Sequence, residues 1–510
     1  MLLFKKEAIG GNMKENKFIK FITSKYLILT VQLIATALFI YFIFKLDLVP
    51  IKYLAPVTII PCLLIIIFFL IMLSGQKKQK QGLHSKRSII TKLISLLMSI
   101  LLMIGTTYAI RSNDFLDNVS DAKTQKYLIS VITMKKNEAT KLSQLDGKKF
   151  GVSYQHDSIT IAKGISDMEE EIGEQEFTKY EDYSSLADAL YNDEVDAIIV
   201  GQEYKSMLEA NHESFDDDTK IIKSYEYDAK LSVTTKQTNV TEKPFTIYVT
   251  GIDTYGSVNT VARSDVNLIV TVNPKSKQIL MTSIPRDCEI ELNKNGKMDK
   301  LTHTGIYGTS ETISTIENFL DVQINYFART NFSGMTNIVD ALGGITVESD
   351  YKFKTLHGNY QIEKGINEMN GDKALCFVRE RYSLPNGDFD RGRNQQKVLK
   401  AMLDKAMSPK IITNFNNILS AIEGSFETDM SSKEIKSLLN MQLNDMADWS
   451  VYNVQVQGTG YKTSKTFSMR GTEVYVMKPD IKQVKKIKKI IDTVEQGGRI
   501  NEDDLEGLEE

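Results

Sequence analysis

Residues 263–287 read Arg-Ser-Asp-Val-Asn-Leu-Ile-Val-Thr-Val-Asn-Pro-Lys-Ser-Lys-Gln-Ile-Leu-Met-Thr-Ser-Ile-Pro-Arg-Asp. Positions 266–272 form an almost continuously apolar run of strand length, introduced by Arg263-Ser264-Asp265. Positions 278–284 form another, closed by Pro285-Arg286-Asp287. Upstream, 245–250 alternates as a strand and ends at Gly251-Ile252-Asp253. Three predicted strands thus deliver Asp253, Asp265, Asp287, Arg263 and Arg286 to flanking loops within 35 residues. Downstream, 311–320 carries Ile313, Ile316, Phe319 and Leu320 as the core-facing stripe of a helix, and 334–342 predicts another before Gly343-Gly344 and a strand at 345–347. Positions 374–378 read as a strand running into Arg379-Glu380-Arg381, and 391–406 as a helix with Arg391 and Gln395 one turn apart. Strands and helices in this alternation predict an α/β fold with a helix-covered sheet.

Working outward, the chain has 510 residues, 62 Lys+Arg against 65 Asp+Glu, a net charge of -3, 9 Pro and 3 Cys, which excludes disordered, collagen-like and disulfide-stapled classes. That balance is an average of opposites: residues 1–111 hold 15 Lys+Arg and 3 Asp+Glu, or +12, so 112–510 carry -15. Three apolar runs, 26–44, 54–73 and 89–110, are each long enough to cross about 30 Å of hydrocarbon. A cleaved signal peptide would have a shorter apolar core and a small-residue cleavage site. Lysines crowd the arm before the first run and the loop before the third, while the first loop holds only Lys45, Asp47 and Lys52. The positive-inside bias therefore predicts a cytoplasmic N-terminus and an external body. Cys288 and Cys376 fall in that body, where either a disulfide or two buried free thiols is compatible with the spacing.

The predicted organisation is a basic arm (1–25), a three-helix anchor (26–111), a small α/β accessory domain (112–234), a catalytic domain (244–483) and a C-terminal helix with an acidic, frayed tail (484–510). Residues 111–126 read as a juxtamembrane helix or linker. In the accessory part, Leu145-Asp146-Gly147-Lys148-Lys149-Phe150-Gly151-Val152, a helix ending at 186–191, and Asp193-Glu194-Val195-Asp196-Ala197 resemble one lobe of a periplasmic solute-binding protein. Asp216, Asp217 and Asp218 read as a solvated loop rather than a metal cluster. The polar stretch 234–244 marks the second boundary.

The chemistry lies in Asp253, Asp265, Arg263, Arg286, Arg379, Arg381, Arg391 and Arg393. Taken singly, such residues are commonly structural ion pairs. Gathered, two carboxylates at strand ends suit Mg²⁺, which takes few protein ligands and fills its shell from water and phosphate. Several guanidinium forks suit a pyrophosphate, and together these groups describe phosphoryl transfer. Competing motifs are absent from the sequence: there is no Walker loop, no Gly-x-Ser-x-Gly and no His-Glu-x-x-His. His303 and His357 read as structural rather than as zinc ligands.

Gly251-Ile252-Asp253, Arg263-Ser264-Asp265, Ser283-Ile284-Pro285-Arg286-Asp287, Asp340-Ala341-Leu342-Gly343-Gly344-Ile345, Gly371-Asp372-Lys373-Ala374-Leu375, Arg379-Glu380-Arg381 and Asp388-Phe389-Asp390-Arg391-Gly392-Arg393-Asn394-Gln395-Gln396 occur in the order of the signature blocks of the LytR-CpsA-Psr family. The chain resembles that family, and its three spans plus accessory domain resemble the capsule-associated branch. The resemblance implies an α-β-α catalytic domain around a central mixed β-sheet, on the outside of a Gram-positive cell. It implies transfer of a capsular or other wall glycopolymer from polyprenyl pyrophosphate to peptidoglycan. By position, Asp253 and Asp265 match Mg²⁺-associated aspartates. Arg263, Arg286, Arg379, Arg381 and Arg391 match pyrophosphate-binding arginines, Gln395 matches a glutamine near the head group, and Lys300 lies in a block of similar type. Catalytic roles follow for Arg263, Asp265, Arg286, Arg379 and Arg381. Asn394 stands where many members carry Arg, which raises the question of whether Arg393 substitutes. For the polyprenyl tail, Ile316, Phe319, Leu320, Phe332, Ile338 and Val339 are candidates. The implied partners are the lipid-linked polysaccharide, peptidoglycan, the membrane and capsule regulatory or assembly proteins, with no nucleic acid. Two rival readings stand beside this one: a membrane-anchored regulator of exopolysaccharide synthesis whose accessory unit senses an external ligand, and a pyrophosphatase that uses the same residues to hydrolyse the lipid carrier.

Overall fold

The structure, a computed structural model, describes residues 24–79, 86–155, 158–209, 212, 214–231, 237–252, 257–408, 417–418, 420–421 and 423–508. Most of the expected basic arm, Lys80 of the second basic loop and Asp253 lie outside these residues. The chain divides into two compact units, one of Met1–Asp114 with Leu439–Asn444 and one of Phe115–Leu438 with Asp445–Glu510.

The first unit is built on α1 (Lys25–Leu46), α2 (Ile51–Gln79) and α3 (Lys86–Val119), three helices long and apolar enough to cross a bilayer. Their outer faces carry exposed Ile and Leu all round, the pattern of a helix solvated by lipid. Pro56 and Pro61 are accommodated within α2, and Ser95 Oγ donates a buried hydrogen bond to Gln32 Oε1 at 2.5 Å. Of the two readings of 111–126, the helix holds as far as Val119, where α3 ends, and the last residues of the stretch already belong to a strand, β1 (Thr124–Met134). That strand is absent from the sequence reading because its polar start, Thr-Gln-Lys-Tyr, hides the apolar run behind it.

In the second unit, β1 joins β2 (Phe150–Ser153), β3 (Phe177–Tyr180), β4 (Ala197–Gly201) and β5 (Thr219–Lys230) in a sheet of order β3-β2-β4-β1-β5. β2 runs parallel to β3 and β4, whereas β1 is antiparallel to both its neighbours. Asp216 to Asp218 form a short helical turn whose charges are locally used: Asp216 pairs with Lys205, and Asp218 accepts from Tyr191 Oη at 2.9 Å.

The larger sheet contains β6 (Phe245–Ile252), β7 (Ser264–Asn273), β8 (Gln278–Ser283), β9 (Tyr326–Thr330), β10 (Phe426–Thr428) and β11 (Ser450–Gln455), in the order β10-β9-β6-β7-β8-β11. It is mixed, with β9 parallel to β6 and β11 parallel to β8. Alternation along β7 sends Ile269 to one face and Leu268 and Val270 to the other. The Ile269 face packs on α4 (Thr309–Leu320) and on α8 (Ile481–Glu495). The Leu268 face meets α7 (Asp388–Ala406), completing three layers. Two further helices stand beside α7, α5 (Phe332–Ala341) and α6 (Gly371–Arg379).

Two expectations are corrected here, and the open question of the two external cysteines is decided. Residues 374–378 are not a strand but the middle of α6: the Asn370 side chain caps it by accepting from Lys373 N at 3.0 Å, and a short apolar run alone does not separate a strand from a buried helix turn. The expected C-terminal helix is present, with Val484, Ile487 and Ile491 buried in the main core, but the acidic stretch after it is not frayed through Leu508, since Leu505 and Leu508 are buried in the same core. Leu505 and Leu508 are the two apolar residues inside the acidic run, and they anchor it. Cys288 and Cys376 are both free thiols, and Cys288 is buried in that core.

One buried carboxyl makes a pH prediction. Asp429 accepts from Phe327 N at 2.7 Å through Oδ1, while Oδ2 has no hydrogen-bond partner among the described residues. Burial, with Glu434 and Asp121 nearby, pushes its pKa up to about 7. Because the folded state then holds this proton more tightly than the unfolded chain, Asp429 lowers stability progressively as pH rises from about 4 to about 7. Asp429→Asn is expected to flatten that slope and to raise the urea midpoint at pH 8 relative to wild type, with little change at pH 4.

Candidate active site

The β7–β8 ladder itself brings the first charged pair together. The antiparallel register sets Leu268 opposite Ser283. Continued three residues past the ends of the ladder, it places Asp265 opposite Arg286. Arg286 Nη1 reaches Asp265 Oδ2 at 2.5 Å, and Asp265 Oδ1 accepts from Thr302 Oγ1 at 3.0 Å. Burial opposes ionisation of Asp265, but Arg286, Arg263, Arg391 and the Thr302 hydroxyl together hold its carboxyl well below the usual range. Asp287 is similarly held down: burial is outweighed by Lys300, whose Nζ lies 2.7 Å from Oδ1, and by Arg286. Carboxylates whose ionised form is stabilised in this way are weaker proton acceptors than a free carboxylate.

The helices supply the rest. Glu380, at the end of α6, is extended, and its carboxylate accepts from the backbone N–H groups of Arg381 and Ser383, both at 3.0 Å. Those bonds depress its pKa against the opposing effect of burial. The Arg379 guanidinium lies 4.2 Å from the centroid of the Phe332 ring. Arg391 is in the first turn of α7 and pairs with Asp388 Oδ1 at 2.7 Å. Burial lowers the pKa of Arg391 and raises that of Asp388. One turn on, Gln395 projects on the same face, with Nε2 3.4 Å from Val378 O.

Arg263, Asp265, Arg286, Arg379, Arg381, Arg391 and Gln395 all line one cavity of about 440 Å³ between the sheet and helices α5, α6 and α7. Much of its remaining wall is apolar, formed by Val249 and Leu268 from the sheet and by Met335, Ile338, Leu375, Val378, Leu399 and Met402 from the helices. Several guanidinium groups lining a largely apolar chamber match a ligand with an anionic head and a hydrocarbon body.

Several expected site residues are placed elsewhere. Lys300 does not line the cavity, because Asp287 holds it. Arg393 pairs with Asp390 and does not line it either, so it does not take the place of an arginine at Asn394, which is itself buried. Of the apolar candidates, Phe332 and Ile338 line the cavity. Ile316, Phe319 and Leu320 belong to the core on the opposite face of the sheet, and Val339 is buried in the core behind. His303 is structural, with Nδ1 2.7 Å from Asp299 Oδ1 in a fully buried contact. His357, expected to be structural, lines the cavity. Among the described residues no group of three or more His, Cys, Asp or Glu is arranged to hold a metal. Asp265, ionised at the cavity wall, is the one described member of the expected Mg²⁺ pair. Glu380 and Tyr382 are the residues that sequence reasoning passed over, although Glu380 stands inside the quoted arginine block and Tyr382 directly follows it.

The model of the LytR_cpsA_psr family matches residues 204–491. The chain belongs to that family. A LytR-CpsA-Psr relative from Bacillus cereus, a polyisoprenyl-teichoic acid–peptidoglycan teichoic acid transferase TagU, is 33% identical over 223 residues, covering 44% of this chain and 71% of the relative. The TagU of Enterococcus faecalis is 34% identical over 229 residues, covering 44% and 74%. The crystal structure of Bacillus subtilis TagU is 30% identical, covers 51% of this chain and 100% of its own, and superposes with a TM-score of 0.40. The family match begins at Tyr204, within the first α/β sheet region, so it extends upstream of the boundary expected at 234–244.

Proposed function

We propose that this protein transfers a glycopolymer from a polyprenyl pyrophosphate carrier to peptidoglycan. The observation that carries the reading is one cavity lined both by five arginines and by a largely apolar wall. The similarity to transferases named for polyisoprenyl-linked teichoic acid and peptidoglycan supports the same chemistry. A peptidoglycan hydroxyl attacks the sugar-linked phosphorus and releases its proton to solvent, the new P–O bond forms as the phosphoanhydride breaks, and polyprenyl phosphate leaves with the electron pair. Arg263, Arg286, Arg379, Arg381 and Arg391 neutralise the charge that spreads over the pyrophosphate oxygens. Asp265, with Asp253, would hold Mg²⁺, which supplies further charge neutralisation when bound. The apolar wall takes the polyprenyl chain and keeps water from the reacting phosphorus.

In this reading the three N-terminal helices anchor the chain with its arm cytoplasmic and its α/β body outside. A lipid-linked donor confined to the same bilayer then meets the enzyme at a raised effective concentration. A capsular polysaccharide is the favoured polymer, and capsule assembly proteins the favoured partners. The test uses the full chain in lipid nanodiscs with a short polyprenyl-pyrophosphate glycan, peptidoglycan and Mg²⁺. Glycan bound covalently to peptidoglycan, with release of polyprenyl phosphate, is expected. Release of polyprenyl phosphate with no glycan on the peptidoglycan would replace the transferase with a pyrophosphatase.

A further inference from the structure

The cavity opens between two lips that Glu380 ties together. Its carboxylate accepts from Arg381 N and Ser383 N at 3.0 Å on one side and from Leu356 N at 2.6 Å on the other. The first lip is fixed again by Ser383 Oγ, which donates to Lys354 O at 3.0 Å. The second, holding Leu356 and His357, is a tight turn in which Thr355 N donates to Tyr360 O and Tyr360 N to Thr355 Oγ1, both at 2.9 Å. Asn359 within it has a φ of 53°.

Tyr382 sits on the first lip. It lines the cavity yet is 72% exposed. The Arg381 guanidinium lies 4.6 Å from its ring centroid, and Arg381 Nη2 donates to its hydroxyl at 2.5 Å. The ring is therefore set by a cavity arginine and by a locked backbone, and most of its surface faces solvent. Leu356 and His357, opposite, add an apolar contact and a hydrogen-bonding group.

We propose that this lip is a sugar-binding subsite, in which the open face of Tyr382 receives a pyranose ring next to the phosphate held by Arg381. An aromatic face attracts the C–H groups on the apolar face of a pyranose, while the hydroxyls remain free for His357 and water. Arg381 and Tyr382 are adjacent, so a phosphate on the guanidinium places its next substituent at the ring. Two sugars satisfy that geometry, the first sugar of the donor and the accepting sugar of peptidoglycan. The inference rests on the transferase reading above.

The test titrates the full chain in nanodiscs with a bare short-chain polyprenyl pyrophosphate and with the same compound bearing one N-acetylhexosamine. A second arm adds a soluble peptidoglycan disaccharide to the chain loaded with the bare compound. In one of the two arms Tyr382→Ala is expected to weaken sugar binding about tenfold and Tyr382→Phe to preserve it, since the ring and not the hydroxyl makes the contact. The arm that responds identifies the sugar. Wild-type affinity for Tyr382→Ala in both arms overturns the subsite, as does a loss for the bare compound that equals the loss for the sugar-bearing one. Failure of the bare compound to bind wild-type protein overturns the transferase reading instead, and a sugar arm that still depends on Tyr382 would leave the subsite standing.

Discussion

Replacing Arg286 by Ala lowers the rate of glycan transfer by about a thousandfold, the cost of removing one well-placed guanidinium from a phosphoryl-transfer site. Arg286 is mostly buried, and its position is fixed by the strand register and by Asp265, so it meets an incoming phosphate without reorganising. A second signature follows from its partner. In wild type the folded pKa of Asp265 lies below its unfolded value. This contributes stability above about pH 4 that is lost as pH falls through the folded pKa. Without Arg286, burial opposes only Arg263, Arg391 and Thr302, so the folded pKa rises and that contribution shrinks. Denaturation midpoints at pH 8 should therefore fall in Arg286→Ala, and fall less at low pH. Arg286→Lys keeps the charge and loses the fork, and should recover the stability more than the rate. Unchanged transfer by Arg286→Ala would contradict the site.

How much of this was legible in the sequence depends on the kind of signal. Arg263, Asp265 and Arg286 are legible because two nearly continuous apolar runs of strand length stand out from their surroundings and charged residues at the ends of such runs have few places to go. Arg379 and Arg381 were found with the wrong element beneath them, since Ala374, Leu375, Phe377 and Val378 are apolar in either structure and Asn370 gives the only cue to a cap. Lys300 was drawn in by its charge, yet a lysine is directed by its nearest carboxylate, and Asp287 follows Arg286 by one residue. Helical periodicity shows that a face is covered and not what covers it. Ile316 and Ile338 both read as buried positions, but one meets a sheet and the other a cavity. The acidic end was misread because composition averages over Leu505 and Leu508.

The rivals can also be weighed by position. A sensor domain free to act apart from a catalytic domain would leave the site loops alone, but β1 is stitched to one of them. Lys126 N donates to Asn259 O, and Val261 N donates to Lys126 O, both at 2.8 Å. Thr309 N also donates to Gln125 Oε1 at 3.2 Å. The first strand of the accessory sheet thus holds the loop that leads to Arg263.

That loop is gripped from its other side by Gly305, and Gly305→Ala is expected to lower transfer about a hundredfold while leaving the chain folded. The backbone there is helical, with φ -60°, so alanine meets no conformational penalty. Its Cβ, however, would stand 2.5 Å from Ala262 O, 2.6 Å from Ser264 N and 3.0 Å from Arg263 C. All three are backbone atoms, so no rotamer change relieves the contact. The turn at Gly305 or the start of β7 must move, and overpacking of this kind costs about 1–3 kcal/mol. A displacement of about 1 Å in a positioning element is enough for a loss near a hundredfold. Movement of β7 carries Arg263 and Asp265 away from Arg286, so the affinity for a bare polyprenyl pyrophosphate should fall with the rate. Far-UV circular dichroism unlike that of wild type would assign the defect to folding. Wild-type transfer by a folded Gly305→Ala protein would mean that the close approach of these backbones does not set the position of the arginines.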